Sequence, residues 1–245
     1  MNLLRISMAR LAIPFLFSLS SLALAEEQAS GTDDPVQILE TASQIFDHMF
    51  ASGLGPGERA KVSAVLKDAH GFVVLPNVIK VGMGLTLIQG RGVLVFQDEK
   101  GVWQPPIPLR VSGQGIGPHF GLIAYDTLIP IMKQTSLTEI LDANHAFTGM
   151  EAMGPLQISS AAEHGLLAYT RGKGLSAGMA LDNIRITLDQ RGIETLYGIR
   201  VEPLEIAAGK LETCRKPLPA QKLIEKVNEV TGNAPVTFLL VPQSQ

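Results

Sequence analysis

Glycine recurs inside strand-like segments of this chain in three blocks: Val81–Gly92, which holds Gly82, Gly84, Gly90 and Gly92; Gly113–Gly117, followed by Gly121; and Gly172–Gly178. A glycine in a strand loses more backbone entropy on folding than any other residue and offers no side chain to pack. Repeated glycines therefore imply bends, bulges, or close approach of a second backbone or a ligand. Gly82, Gly84, Gly115, Gly117 and Gly174 are the positions where such an approach is expected.

The segments around the glycines read as strands. Phe72–Leu75, Ile79–Gln89 and Arg91–Gln97 are rich in branched residues, and Ile107–Ser112 and His119–Ile131 continue that character. Asp98-Glu99-Lys100-Gly101 predicts a turn that pairs Arg91–Gln97 with the segment from Val102, and Pro105, Pro106 and Pro108 confine that segment to an edge or a bend. Leu166–Thr170, Leu175–Leu181 and Ile184–Leu188 alternate like a meander, with hairpins expected at Gly172–Gly174 and Asp182–Asn183.

Helical periodicity lies toward the ends. Asp34 caps a helix that starts at Pro35 and carries Val36, Leu39, Ile45, Phe46, Met49 and Phe50 on one face. A second helix is predicted over Glu58–His70, a short one from Ser136 with Glu139 at capping-box spacing, and a last one over Ala220–Val230 after Pro217 and Pro219. Val236–Val241 fits a final strand. Strands in the middle without βαβ alternation indicate an α+β domain: a mainly antiparallel, glycine-rich sheet, in sandwich or partial-barrel form, with helices from both ends of the chain.

Residues 1–25 read as a secretory signal peptide, with Arg5 and Arg10, an apolar stretch from Leu11 to Leu24, and Ala23-Leu24-Ala25 before Glu26. Cleavage there leaves 220 of 245 residues: a polar lead-in over residues 26–33 and one domain over 34–245. No later run is apolar enough to span a bilayer, so a soluble protein is expected in the periplasm, or secreted if the source has no outer membrane. Cleavage removes two of the 20 basic residues and none of the 23 acidic ones, so the net charge falls from −3 to −5, and nucleic acid is an unsuitable partner. Cys214 is the only cysteine, so no internal disulfide can form.

Catalytic motifs fail on context. Gly174-Leu175-Ser176-Ala177-Gly178 matches a nucleophile elbow, but all five histidines precede Ser176, whereas that fold places its histidine after the serine. Gly172–Ala177 fits a dinucleotide fingerprint variant without the helix that must follow. The histidines show no metal-ligand spacing, and no cofactor or metal is expected.

The blocks Ala69–Gly82, Gly90–Val95, Gly101–Pro106, Gly113–Gly117 followed by Ala124–Ile129, and Ala168–Leu175 with Gly178 and Tyr197-Gly198, in that order, resemble the SYLF domain family. The resemblance implies a lipid-binding module without enzymatic activity: eukaryotic members bind phosphoinositides, some fungal members bind actin, and bacterial members are exported. Gly149–Pro155 and Asp182-Asn183 depart from the family's usual residues, which leaves the lipid open. Lipid binding requires apolar area and local cations, and Lys80, Arg91, Arg110, Arg171 and Lys173 beside the glycine blocks are the headgroup candidates. Solvated charges at strand ends are the plainer reading of each. The partner expected is a lipid or membrane surface, bound peripherally. The alternative is an envelope scaffold that docks a protein through the glycine-rich sheet.

Overall fold

A strand as long as the first one here cannot run straight. The computed structural model describes residues 34–51, 56–98, 100–141, 146–148, 157–161, 166–178, 181–201, 205 and 217–232. The expected signal peptide, Cys214 and the expected strand at Val236–Val241 lie outside the described residues. Strand β1 is Gly71–Phe96, 26 residues without a break. At the usual rise it would extend ~85 Å, about twice the diameter of a domain of this length.

It turns back on itself instead. A Cβ built on Gly71 would lie 2.9 Å from the Val95 carbonyl oxygen, one on Gly90 would lie 3.2 Å from the Val78 Cα, and one on Gly92 would overlap the Val74 carbonyl oxygen. The two arms therefore lie alongside each other with opposite direction. The Gln97 N–H donates to the His70 carbonyl at 2.9 Å and ties their ends. At the bend, Gly84 has φ +80°, a conformation that costs a residue with a side chain about 1 kcal/mol or more.

Strand β2 (Ile107–Ile131) follows β1 along its length, from Leu94↔Ile107 to Gly71↔Ile131. Two irregularities break the register, at Leu75/Val78 and Met83/Leu85. The first holds Pro76, which has no N–H to donate, and Asn77, whose φ is 51° and whose N–H donates to Asp126 Oδ1 at 2.9 Å.

The far side of β2 corrects the expected meander. Strands β5 (Leu166–Gly178) and β6 (Leu181–Leu188) both pair with it, from Ile131↔Leu166 through His119↔Gly178 and on from Ile116↔Leu181 to Leu109↔Leu188. The offset is the same throughout, so β5 and β6 follow β2 as one line, and no hairpin forms at Gly172–Gly174 or Asp182–Asn183. Short strands β4 (Gln157–Ala161) and β3 (Ala146–Thr148) complete the outer edge against β5 and β6. The result is the expected α+β antiparallel arrangement, with an open sheet.

Other expectations shift locally. The Asp98 turn forms, its carboxylate accepting from the N–H groups of Lys100 and Val102, and the expected antiparallel return follows through the bridge Gln97↔Trp103 and then Leu94↔Ile107 to Arg91↔Arg110, with β2 beginning only at Ile107. Pro108 sits inside β2, opposite Val93, so it is not confined to an edge. The helix expected from Ser136 starts two residues earlier, as α3 (Gln134–Leu141), and Ser136 is buried within it and does not cap it.

Helices α1 (Pro35–Ala51), α2 (Pro56–Lys67) and α5 (Leu218–Thr231) pack on one face of the sheet, against Phe72, Val74, Val93 and Val95. Asp34 caps α1 as expected, its Oδ1 accepting from the Val36 N–H at 2.9 Å. Phe46 of α1 meets Phe72 edge-on at 5.5 Å, and Phe72 stacks on Trp103 at 5.6 Å. Lys226 of α5 pairs with Asp47 of α1 at 2.6 Å, and its hydrogen bonds to Asp47 and Glu229 raise its pKa above the usual lysine value. The lysine's contribution is thus present at neutral pH and is lost as the pH rises through that raised value. The other face carries Val73, Leu75, Leu94 and Phe96 under α3 and α4 (Gln190–Tyr197). The alternation Phe72/Val73/Val74/Leu75 feeds both cores from a single strand.

Close approach in β1 yields a graded expectation. Gly92→Ala, whose Cβ would overlap a backbone carbonyl, should lower stability by about 2–3 kcal/mol. Gly84→Ala, with open space but positive φ, should cost about 1 kcal/mol. Urea unfolding midpoints measure both, and a Gly92→Ala midpoint equal to that of the unmodified protein would contradict the doubled-back strand.

Candidate functional site

The bend of β1 and the adjoining turn of β2 form one end of the sheet, and it differs from the rest of the surface. Val81–Gly90, Val111–Ala124 and Gly174–Leu181 contain no Asp, Glu, Lys or Arg, in a chain of which those residues are 18%. The register brings these runs together, through Met83↔Phe120, Leu85↔Ile116, Ile116↔Leu181 and Phe120↔Ala177. Ile116 is 76% exposed, Met83 60%, Phe120 57% and Leu85 56%. Thr86 and Ile88, which alternate with Leu85 and Leu87, are buried, so the exposed side chains point away from the core.

Cross-strand pairs grade from the helix-covered base to this tip. Val93 and Val95 lie under α1, α2 and α5, and the pairs that follow are Arg91–Arg110, Gln89–Ser112, Leu87–Gln114, Leu85–Ile116 and Met83–Phe120. Charge gives way to neutral polar groups and then to apolar ones. Arg91 and Leu85 are six residues apart, ~20 Å along an extended strand.

Of the headgroup candidates, Arg91 and Arg110 come together as direct cross-strand partners. Like charges at that spacing repel. Asp189, whose side chain is 4% exposed, lies between them: its Oδ2 accepts from Arg91 Nη1 and its Oδ1 from Arg110 Nε, both at 3.0 Å. The Asp189 N–H donates to the Pro108 carbonyl at 2.8 Å, which fixes the carboxylate at the start of α4. Lys80 is buried opposite Ile123, on the face it shares with Val78. Arg171 and Lys173 are described by strand position alone, opposite Asp126 and Ala124. The five cations are thus spread over three strands, β1, β2 and β5.

Gly82, Gly84, Gly115 and Gly117 all fall at the tip, whereas Gly174 lies in β5 opposite Ile123. A Cβ on Gly82 would overlap the Leu85 carbonyl oxygen. The glycine at 82 thus serves the bend. Ser176 pairs with Gly121 within β5, so the strand-to-helix turn of a nucleophile elbow is not formed there. Sequence patterns point to the glycines and cations and not to Met83, Leu85, Ile116 and Phe120. The signal that identifies them is the lack of charge shared by three separate runs.

The arginine pair yields its own test. Asp189→Asn removes the charge that offsets two guanidiniums and should lower stability by about 1–2 kcal/mol, the value being limited by the partial exposure of Arg110. Added salt should restore part of the loss by screening the repulsion. An unchanged urea midpoint would show that Asp189 has no such role.

The family model described as "Ysc84: Las17-binding protein actin regulator" matches residues 112–230. LAS seventeen-binding protein 3 of Saccharomyces cerevisiae is 24% identical over 176 residues, covering 67% of this chain and 37% of its own length. SH3 domain-containing YSC84-like protein 1 of Mus musculus is 24% identical over 176 residues, covering 68% of this chain and 51% of its own. The chain therefore spans about a third to a half of the length of these relatives. No solved structure matches. The SYLF resemblance read from the glycine blocks holds: residues 112–230, from β2 to the last helix, match the Ysc84 (SYLF) family.

Proposed function

We propose that this chain is an exported, non-catalytic domain of the cell envelope that binds lipid peripherally. The observation that carries the reading is the uncharged tip with four large apolar side chains more than half exposed. Exposed apolar surface of this kind, rimmed by polar residues, is typical of interaction sites, and the described helices leave it uncovered. Export rests on the signal-peptide reading of residues 1–25. Among the described residues no helix is long and apolar enough to cross a membrane, which is consistent with attachment at the surface.

Electrostatics plays a secondary part in this reading. The mature chain is acidic, and Arg91 and Arg110 share one carboxylate, so their group offers a headgroup a net charge of about one at most. A single lysine or arginine near an anionic surface contributes roughly 1 kcal/mol. Protein docking through the same sheet is the second reading. The yeast relative's name, LAS seventeen-binding protein 3, favours it.

Flotation of the mature protein with vesicles separates the two. It should float with phosphatidylcholine vesicles and gain only a few-fold from added phosphatidylserine, as expected for about one effective cation. Absence from the vesicle fraction with both lipids would reject lipid binding and leave protein docking as the better account.

A further inference from the structure

We propose that the glycine-bounded tip is a bilayer wedge: Met83, Leu85, Ile116 and Phe120 enter the acyl region together, and the Arg91–Asp189–Arg110 group stays at headgroup level behind them. The inference rests on the lipid-binding reading and specifies how that binding is made.

Three observations support insertion over a looser surface contact. The uncharged zone extends across all three strand lines at the tip, and a hydrocarbon environment penalises charge more than a protein partner's surface does. Backbone polar groups entering lipid must be paired within the protein. Here the ladders reach to either side of the bend, with Met83↔Phe120 and Leu85↔Ile116 on one side of β2, and His119↔Gly178 and Ile116↔Leu181 on the other, and the register breaks between Met83 and Leu85 at the bend itself. Between those rows on β2 lie Gly117 and Pro118, and Pro118 has no N–H to leave unpaired.

The third observation is the order of side chains behind the tip. Apolar pairs are followed by Gln89–Ser112 and then by Arg91–Arg110, which is the sequence of environments met on leaving a bilayer: acyl chains, interface, headgroups. Elsewhere on the described surface, Val102 and Leu218 are exposed apolar residues without such a gradient, each beside a turn or helix start.

The test places a tryptophan at the tip. Phe120→Trp in the full mature chain, mixed with phosphatidylcholine vesicles brominated in their acyl chains, should lose fluorescence on binding. The unmodified protein should not, because its one tryptophan, Trp103, is buried beside Phe72. Ile116→Asp should weaken vesicle binding ~tenfold or more, and Leu218→Asp should leave it unchanged, with circular dichroism the same for all three variants. Flotation of the Phe120→Trp protein without quenching of its fluorescence would overturn the wedge and leave lipid binding standing. An equal loss from Leu218→Asp would also overturn it, since the tip would then have no special part. A protein that fails to float, and instead self-associates until Ile116→Asp makes it monomeric, would overturn both readings in favour of a second copy as the occupant.

Discussion

The close approach of the two arms of β1 is the constraint on which the rest of the structure depends. The Val74 carbonyl lies where a Cβ of residue 92 would stand, and glycine is the residue that lets the chain pass there. Because β1 doubles back, both its arms can place Phe72, Val74, Val93 and Val95 under the same three helices. Strand β2 follows the bend, and β5 with β6 follows β2 in one unbroken offset. The tip is the shared bend of these lines. Its exposure follows from the helices covering the base.

Much of this was legible from residue patterns. The α+β class, the antiparallel sheet, the Asp34 cap and the terminal helices follow from periodicity and capping chemistry, because those signals are local. The continuity of β1 was not. Gly90 reads as a strand boundary, whereas it serves a close approach within one strand. Gly172–Gly174 and Asp182–Asn183 likewise resemble turns, yet they lie opposite Tyr125–Ile123 and Gly115–Gln114 in regular pairing. A partner strand supplied by β2, distant in sequence, overrides the turn preference of these residues. Helix α4 was missed because it is only eight residues long and contains Gly192. Its stability comes from burying Ile193 and Tyr197 and from the αL cap at Gly198.

The candidate site shows the same division. The glycines at the tip were identified because glycine in a strand is unusual in itself. The cations were chosen for their nearness in sequence to those glycines, and folding separates them: Lys80 turns inward, while Arg91 and Arg110 meet across Asp189. Met83, Leu85, Ile116 and Phe120 look like ordinary strand residues one at a time. Only the register, which places three uncharged runs side by side, makes them a surface.

The account's central claim is that the bare, uncharged tip of a doubled-back sheet is the surface that meets lipid. Amide hydrogen exchange of the mature protein, with and without phosphatidylcholine vesicles, tests this most directly. The account predicts slowed exchange in Val81–Gly90 and Gly113–Leu122, with α1 and α5 unchanged. Protection gained on α1 while those two segments exchange at their free rates would contradict it.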